Sequence, residues 1–146
     1  MQWYIKKFDK LSVNELYEIC KARYEVFVCE QKIVQENDFD DLDKEVYHIY
    51  LEDKGKVVAY ARILQRGIAY EEASIGRVLV LKEYRRRGLA KELVNKAIDF
   101  IKNELKEDKI KISAQLYVKN LYESLGFKVI SSVYDEVSIP HVKMIL

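Results

Sequence analysis

Proline occurs once in this 146-residue chain, at Pro140, and glycine only five times. No Pro- or Gly-rich linker is visible, and the length suits one hydrophobic core, so residues 1–146 read as a single domain. Cysteine is equally scarce. Cys20 and Cys29 lie nine residues apart in a stretch that reads as helix, which aims them in different directions and excludes a disulfide framework. The same stretch places both thiols in or near the core. No apolar run approaches the roughly 18–20 residues of a membrane span, and the start, Met1-Gln-Trp-Tyr-Ile-Lys-Lys-Phe8, has no sustained apolar segment of a secretory leader. A cytoplasmic location with no membrane partner is expected. Nor does one sign of charge prevail: 25 Lys+Arg against 24 Asp+Glu leave +1, which argues against a nucleic-acid coat or an acidic tail. The motifs HExxH, paired CxxC, the EF-hand loop and the GxxxxGK[ST] loop are all missing, so neither a metal site nor a P-loop nucleotidase is expected.

What the chain has is enough apolar surface to fold, at 49% of residues including 11 tyrosines. Gln2–Phe8 reads as a strand. Ser12 and Glu15 have the spacing of a capping box, and Val13, Leu16, Tyr17, Cys20, Tyr24, Phe27 and Val28 form a helical stripe, as one long helix or two short ones in line. Val46–Glu52 and Val57–Leu64 read as a hairpin turning at Gly55, and Ser74–Leu81 is apolar enough for a central strand. From Gly88, the stripe Leu89, Ala90, Leu93, Val94, Ala97, Ile98, Ile101, Leu105 has a clear helical period. Lys109–Ala114 reads as a strand and Tyr117–Leu125 as a short helix closed by Gly126. Phe127–Glu136 and His141–Leu146 are the last strands, with Pro140 at the start of the final one. The order predicts an α+β domain, a single mixed sheet with helices on its faces.

Two segments concentrate charge. Residues 36–45 hold six acids and one lysine, a loop with a strong negative field. Residues 82–91 hold five bases and one acid around Arg85-Arg86-Arg87-Gly88-Leu89-Ala90, between an apolar strand and a long helix. The first N–H groups of a helix lack internal partners and carry the positive end of its dipole, so a glycine there makes a cradle for phosphate.

Arg85-Arg-Arg-Gly88-Leu-Ala90 matches the Q/R-x-x-G-x-G/A signature of the GNAT acetyltransferases, and Tyr122-Glu-Ser-Leu-Gly126-Phe127 matches their Y-x-x-x-G-F. The segments Arg23-Tyr-Glu-Val-Phe27-Val-Cys-Glu30-Gln31, Glu36-x-Asp38-x-x-Asp41, His48, Ala59-Tyr-Ala-Arg62, Ile75-Gly-Arg-Val78, Ser113-Ala-Gln115 and Ile139-Pro-His141 resemble the ElaA-type subgroup. Cys29 departs from the usual aliphatic residue, Gln115 stands where many relatives have Asn, and Val137-Ser138 replaces an Asp-Gly-like turn, which leaves the last hairpin's shape open.

The resemblance implies a GNAT-like domain whose mostly antiparallel sheet, of about seven strands with about four helices, splays in the middle. It implies acetyl-CoA as acyl donor and coenzyme A as product, with Val78, Leu79 and Val80 pairing the pantetheine. The pyrophosphate would rest on N–H groups from Arg86 to Ala90, with the side chains of Arg85, Arg86 and Arg87 on the phosphates and Gln115 nearby. Tyr122 matches the family's general acid, and a strand N–H near Leu79 or Val80 could face the thioester oxygen. Glu36, Asp38, His48 and His141 are the candidates for a base or for the acceptor site. The acceptor is expected to be a small-molecule or peptide amine, cationic given the acid-rich loop, and the protein a monomer or homodimer. Two other readings stay open: a non-catalytic acyl-CoA sensor or interaction module, and an RNA-binding role for the arginines, for which a near-neutral domain without interleaved aromatics makes a poor footprint.

Overall fold

The computed structural model describes residues 1–146. Strands β1 (Gln2–Lys7), β2 (Tyr47–Asp53), β3 (Lys56–Leu64) and β4 (Ser74–Val80) form an antiparallel sheet in that order. A second sheet is built on β8 (Ile139–Ile145), with β5 (Lys111–Gln115) along one edge and the short strands β6 (Lys128–Val129) and β7 (Tyr134–Glu136) sharing the other. The helices are α1 (Val13–Arg23), α2 (Leu89–Asn103) and α3 (Lys119–Ser124). Buried apolar residues from α1, both sheets and α2 form one continuous core, and no helix is long and apolar enough to cross a membrane.

Local signals account for several elements. Ser12 Oγ accepts the Glu15 N–H at 3.0 Å and Glu15 returns a bond to the Ser12 N–H at 2.8 Å, completing the capping box of α1. Lys54 and Gly55, both with positive φ, make the two-residue β2–β3 turn. The α2 stripe buries Leu89, Leu93, Val94, Ala97, Ile98 and Ile101 as its period requires, though the helix stops at Asn103.

Three expectations need correction. The first helix continues beyond Arg23 as a π-helical segment, Tyr24–Glu30, and its inward face carries Ile19, Ala22, Arg23, Val26 and Phe27. Val13, Tyr17 and Tyr24 lie on the solvent side, because the apolar stripe does not reveal that an arginine turns inward toward carboxylates. Cys20 is half-buried and burial pushes its thiol pKa up, whereas Cys29 is exposed. The strand expected over Phe127–Glu136 is broken: Ser131 Oγ takes the Lys143 N–H at 2.8 Å, the donor a continuing strand would have used, so β6 and β7 are separate and the strands number eight.

The last hairpin turns at Val137 (φ 49°) and Ser138 (φ 64°), two side-chain-bearing residues in the left-handed region. That region costs an L-residue about 1–2 kcal/mol, and β-branched residues are its rarest occupants. Val137→Asn is therefore expected to raise stability by about 1 kcal/mol, read as a higher urea midpoint at unchanged slope.

Acid should loosen the α1 contact with the sheet. Burial alone would raise the Glu15 carboxyl, but bonds from Lys6, the Ser12 N–H and the Tyr50 hydroxyl outweigh it and bring it down to about 2. At Asp40 burial is likewise outweighed, chiefly by Arg62, giving about 2. Both carboxyls titrate lower in the folded chain than in the unfolded one, so their stabilisation is complete above the ordinary carboxylate range and disappears as pH falls toward 2. Urea midpoints are expected to drop steadily between about pH 5 and pH 2.

Candidate active site

β4 and β5 run parallel but meet only at the bridge Ala73–Ile110, where the Lys111 N–H donates to the Ala73 carbonyl at 2.9 Å. Beyond it the two sheets separate, so the expected splay is a division into two four-stranded sheets. A cleft of about 620 Å³ opens in the gap. Its walls are the π-helical segment and residues 30–42 on one side, and β4, β5, α3 and the β7–β8 hairpin on the others.

The backbone of β4 presents polar groups to this gap. The Leu81 N–H donates to the Val58 carbonyl at 2.9 Å, which assigns Leu79 and Leu81 to β3 and, by the two-residue alternation of a strand, turns Val80 and Val78 toward β5. The backbone groups of Leu79 therefore face β3 and only those of Val78 and Val80 face the gap, while Leu79 still contributes to the cleft lining. A bulge at Arg77 (φ 53°) breaks the β3–β4 register just before, where the strand begins to diverge.

The loop after β4 is shaped for an anion. Arg86 (φ 64°) and Gly88 (φ 75°) are left-handed, and Gly88 is the N-cap of α2. The N–H groups of Arg86, Arg87, Gly88, Leu89 and Ala90 have no backbone acceptor and no side chain caps the helix, so consecutive donors stand free at a helix N-terminus. The Leu89 side chain is buried in the core and Ala90 lines the cleft. Arg86 and Arg87 are exposed, Arg87 lying over the Tyr84 ring at 5.0 Å. Arg85 is engaged otherwise: its guanidinium bonds Glu30 twice at 2.9 Å and the Val80 carbonyl at 2.9 Å.

Tyr122, on α3, lines the cleft with 6% of its surface exposed, its ring edge-on to Phe127 at 5.7 Å. No protein group hydrogen-bonds its hydroxyl, and burial pushes its pKa up to about 12. On the far wall, Gln115 donates to Gln31 at 3.0 Å. His141, 4% exposed, lies on β8 opposite Gln115 and stacks on Tyr134. Its Nδ1 sits 2.7 Å from the Ile139 carbonyl, which can only accept, so Nδ1 bears the hydrogen. In the neutral ring Nε2 then keeps a lone pair; no hydrogen-bond donor meets it, and the Glu136 carboxylate lies 3.6 Å away.

The other expected acceptor-side residues divide. Glu36 is exposed, lines the cleft and makes no ion pair. Asp38 instead bonds the Nε atoms of Arg23 and Arg77, each at 2.9 Å, and is committed to structure. His48 is fully buried: Nε2 donates to the Asp43 carbonyl at 2.8 Å, so Nδ1 accepts the Tyr60 hydroxyl at 2.7 Å, and burial lowers its pKa. Neither ring nitrogen is open to a substrate.

The strong negative field expected over residues 36–45 is also largely neutralised. Asp43 bonds Arg23 at 2.7 Å and Arg62 at 3.2 Å, Asp40 bonds Arg62 at 2.7 Å, and Asp38 holds Arg23 and Arg77. This network of three arginines and three aspartates folds the loop against β3 and β4. Residue pattern alone does not show it; the available signal was an arginine in each of three apolar stretches, Arg23, Arg62 and Arg77, beside one acid-rich loop.

A model of the Acetyltransferase (GNAT) domain family matches residues 12–146. A UPF0039 protein of Schizosaccharomyces pombe is 38% identical over 99% of this chain and 95% of its own length, and the ElaA protein of Escherichia coli is 34% identical over 99% and 95%. Among solved structures, an acyl-CoA N-acyltransferase from Pseudomonas aeruginosa superposes with TM-score 0.91 at 31% identity, covering 99% of this chain and 97% of that one. The E. coli ElaA structure gives TM-score 0.90 at 32% identity with the same coverage. A domain match over nearly the whole length, with relatives alike from end to end, places this chain in the GNAT acetyltransferase family.

Proposed function

We propose that this protein transfers an acetyl group from acetyl-CoA to a cationic primary amine, on a small molecule or a peptide, by direct attack in a ternary complex. One observation carries the reading: a single cleft joins an unpaired strand edge, an uncommitted tyrosine hydroxyl and a histidine lone pair, and reaches Arg85 and Ala90, which flank a row of free N–H groups at a helix N-terminus.

The residues fit the donor. Backbone groups of Val78 and Val80 would pair its pantetheine arm, and N–H groups from Arg86 to Ala90, with the Arg86 and Arg87 side chains, would hold its phosphates. The donor supplies an activated acyl thioester. The Val80 N–H, aimed into the gap, is placed to stabilise charge on the thioester oxygen. Tyr122 keeps its proton at any physiological pH and can deliver it to the departing thiolate. An alkyl ammonium with pKa about 10.4 must lose a proton before attacking, a cost of about 4.6 kcal/mol at pH 7. His141 Nε2 is the lone pair on the cleft wall that can take it, with Glu136 steadying the charge that results. Holding both reactants together supplies much of the remaining acceleration.

The preference for a cation follows from which charges remain free. The arginines lining the cleft, Arg62, Arg77 and Arg85, are all ion-paired, whereas Glu36 has no partner and Glu136 meets only Ser113 at 3.3 Å and His141. Thiol release with acetyl-CoA is expected to be fastest with a diamine, slower with a monoamine of equal length and slowest with an amino acid. His141→Gln is expected to lower kcat/KM by about 10²-fold without moving the affinity for CoA. Turnover confined to neutral or anionic acceptors would overturn the acceptor assignment, and no turnover with any amine would overturn the enzymatic one.

A further inference from the structure

Glu30 and Gln31, adjacent at the end of the π-helical segment, reach opposite walls of the gap. Glu30 takes Arg85 of the β4–α2 loop in a two-pronged ion pair, both bonds 2.9 Å, and Gln31 takes Gln115 at the end of β5 at 3.0 Å. The Arg85 guanidinium reaches further: its Nε donates to the Val80 carbonyl at 2.9 Å. That carbonyl belongs to the gap-facing set, so one side chain both bridges the opening and covers a strand group that an inserted chain needs. Neither partner is locked in the core, since Arg85 and Glu30 keep 40% and 35% of their side-chain surface exposed.

We propose that the Glu30–Arg85 pair is a latch over the acyl-donor gap and makes the site selective for donors that carry phosphate. The proposal rests on the acetyl-CoA reading above. A guanidinium fork fits a phosphate as well as it fits a carboxylate. Arg85 lies just before the free N–H groups of Arg86–Ala90, so a phosphate settling there offers it a replacement for Glu30. One ion pair is exchanged for another, the Val80 carbonyl is released, and opening costs little. A thioester without phosphates offers no replacement and must break the latch uncompensated. Glu30 thus acts as a positioning residue, keeping Arg85 across the opening until the correct donor arrives.

The test is binding, measured by titration calorimetry or competition, for coenzyme A and for the phosphate-free S-acetylpantetheine. Wild type, Glu30→Gln and Arg85→Ala are compared, with thermal unfolding confirming that these surface variants fold. Glu30→Gln is expected to tighten S-acetylpantetheine about threefold to tenfold, the worth of a partly exposed, two-pronged ion pair. Arg85→Ala is expected to act in opposite directions, tightening S-acetylpantetheine by a similar factor while weakening coenzyme A about tenfold or more. If Arg85→Ala weakens both ligands, or weakens coenzyme A and leaves S-acetylpantetheine unchanged, Arg85 is a plain phosphate ligand and the latch is wrong. An unchanged or weaker S-acetylpantetheine affinity in Glu30→Gln is equally fatal to it. A wild type that binds neither ligand defeats the donor reading itself, an outcome distinct from these.

Discussion

Tyr122→Phe is expected to lower kcat by about 10²- to 10⁴-fold while coenzyme A binds as it does to wild type. The two effects separate because the ring and the hydroxyl do different things. The ring packs edge-on against Phe127 at 5.7 Å, a contact phenylalanine keeps, so the motif Tyr122–Phe127 should hold its shape. The hydroxyl has no hydrogen-bond partner in the protein, so removing it orphans no buried group. What is lost is a proton donor facing the cleft, kept protonated because burial raises its pKa to about 12. Saturating thiol-release assays give kcat, and calorimetry gives affinity. An unchanged kcat would show that solvent supplies the proton. Unchanged binding with turnover lost would also exclude a mere acyl-CoA sensor, since a sensor has no turnover for Tyr122 to support.

Asp43→Ala is expected to cost about 3–5 kcal/mol of stability, against a total of about 5–15 for a domain of this kind. Its carboxylate holds Arg23, 1% exposed, and Arg62, 3% exposed, at 2.7 and 3.2 Å. Truncation leaves both buried guanidiniums short of counter-charge, and Arg62 Nε already lacks a partner. Urea denaturation measures the loss directly. Glu36→Gln, an equally acidic position in the same loop but exposed and unpaired, is expected to change stability by less than about 0.5 kcal/mol. Equal effects at the two positions would mean that the network contributes little beyond surface charge.

The contrast between these two acids shows what sequence could and could not tell. Glu36 and Asp43 look alike in a run of six acids, and only the fold, by bringing Arg23 and Arg62 from positions about 20 residues away on either side, distinguishes the structural carboxylate from the free one. Features written in short spacings were legible: the Ser12–Glu15 cap, the Gly55 turn, the α2 stripe and Gly88 at the helix start. The site was half legible for the same reason. The free N–H groups at the start of α2 depend on local backbone around Gly88, and Tyr122, which lines the cleft, sits in a compact motif, so both positions could be singled out. The tautomer of His141 is set by the Ile139 carbonyl and the role of Arg85 by Glu30, 55 residues away, and neither is encoded in any periodicity. The π-helical segment escaped notice because one extra residue per turn leaves no mark on an apolar stripe already interrupted by an inward arginine.

Titrating acetyl-CoA into the protein by calorimetry tests the central claim most directly, because in the proposed reaction donor binding to the gap and the α2 N-terminus precedes every other step. The structure predicts saturable binding of one molecule per chain, competed by coenzyme A and weakened by added salt as phosphate contacts are screened. Absence of binding at low salt would contradict the assignment of Val80 and Arg86–Ala90 as a donor site, and with it the proposed reaction.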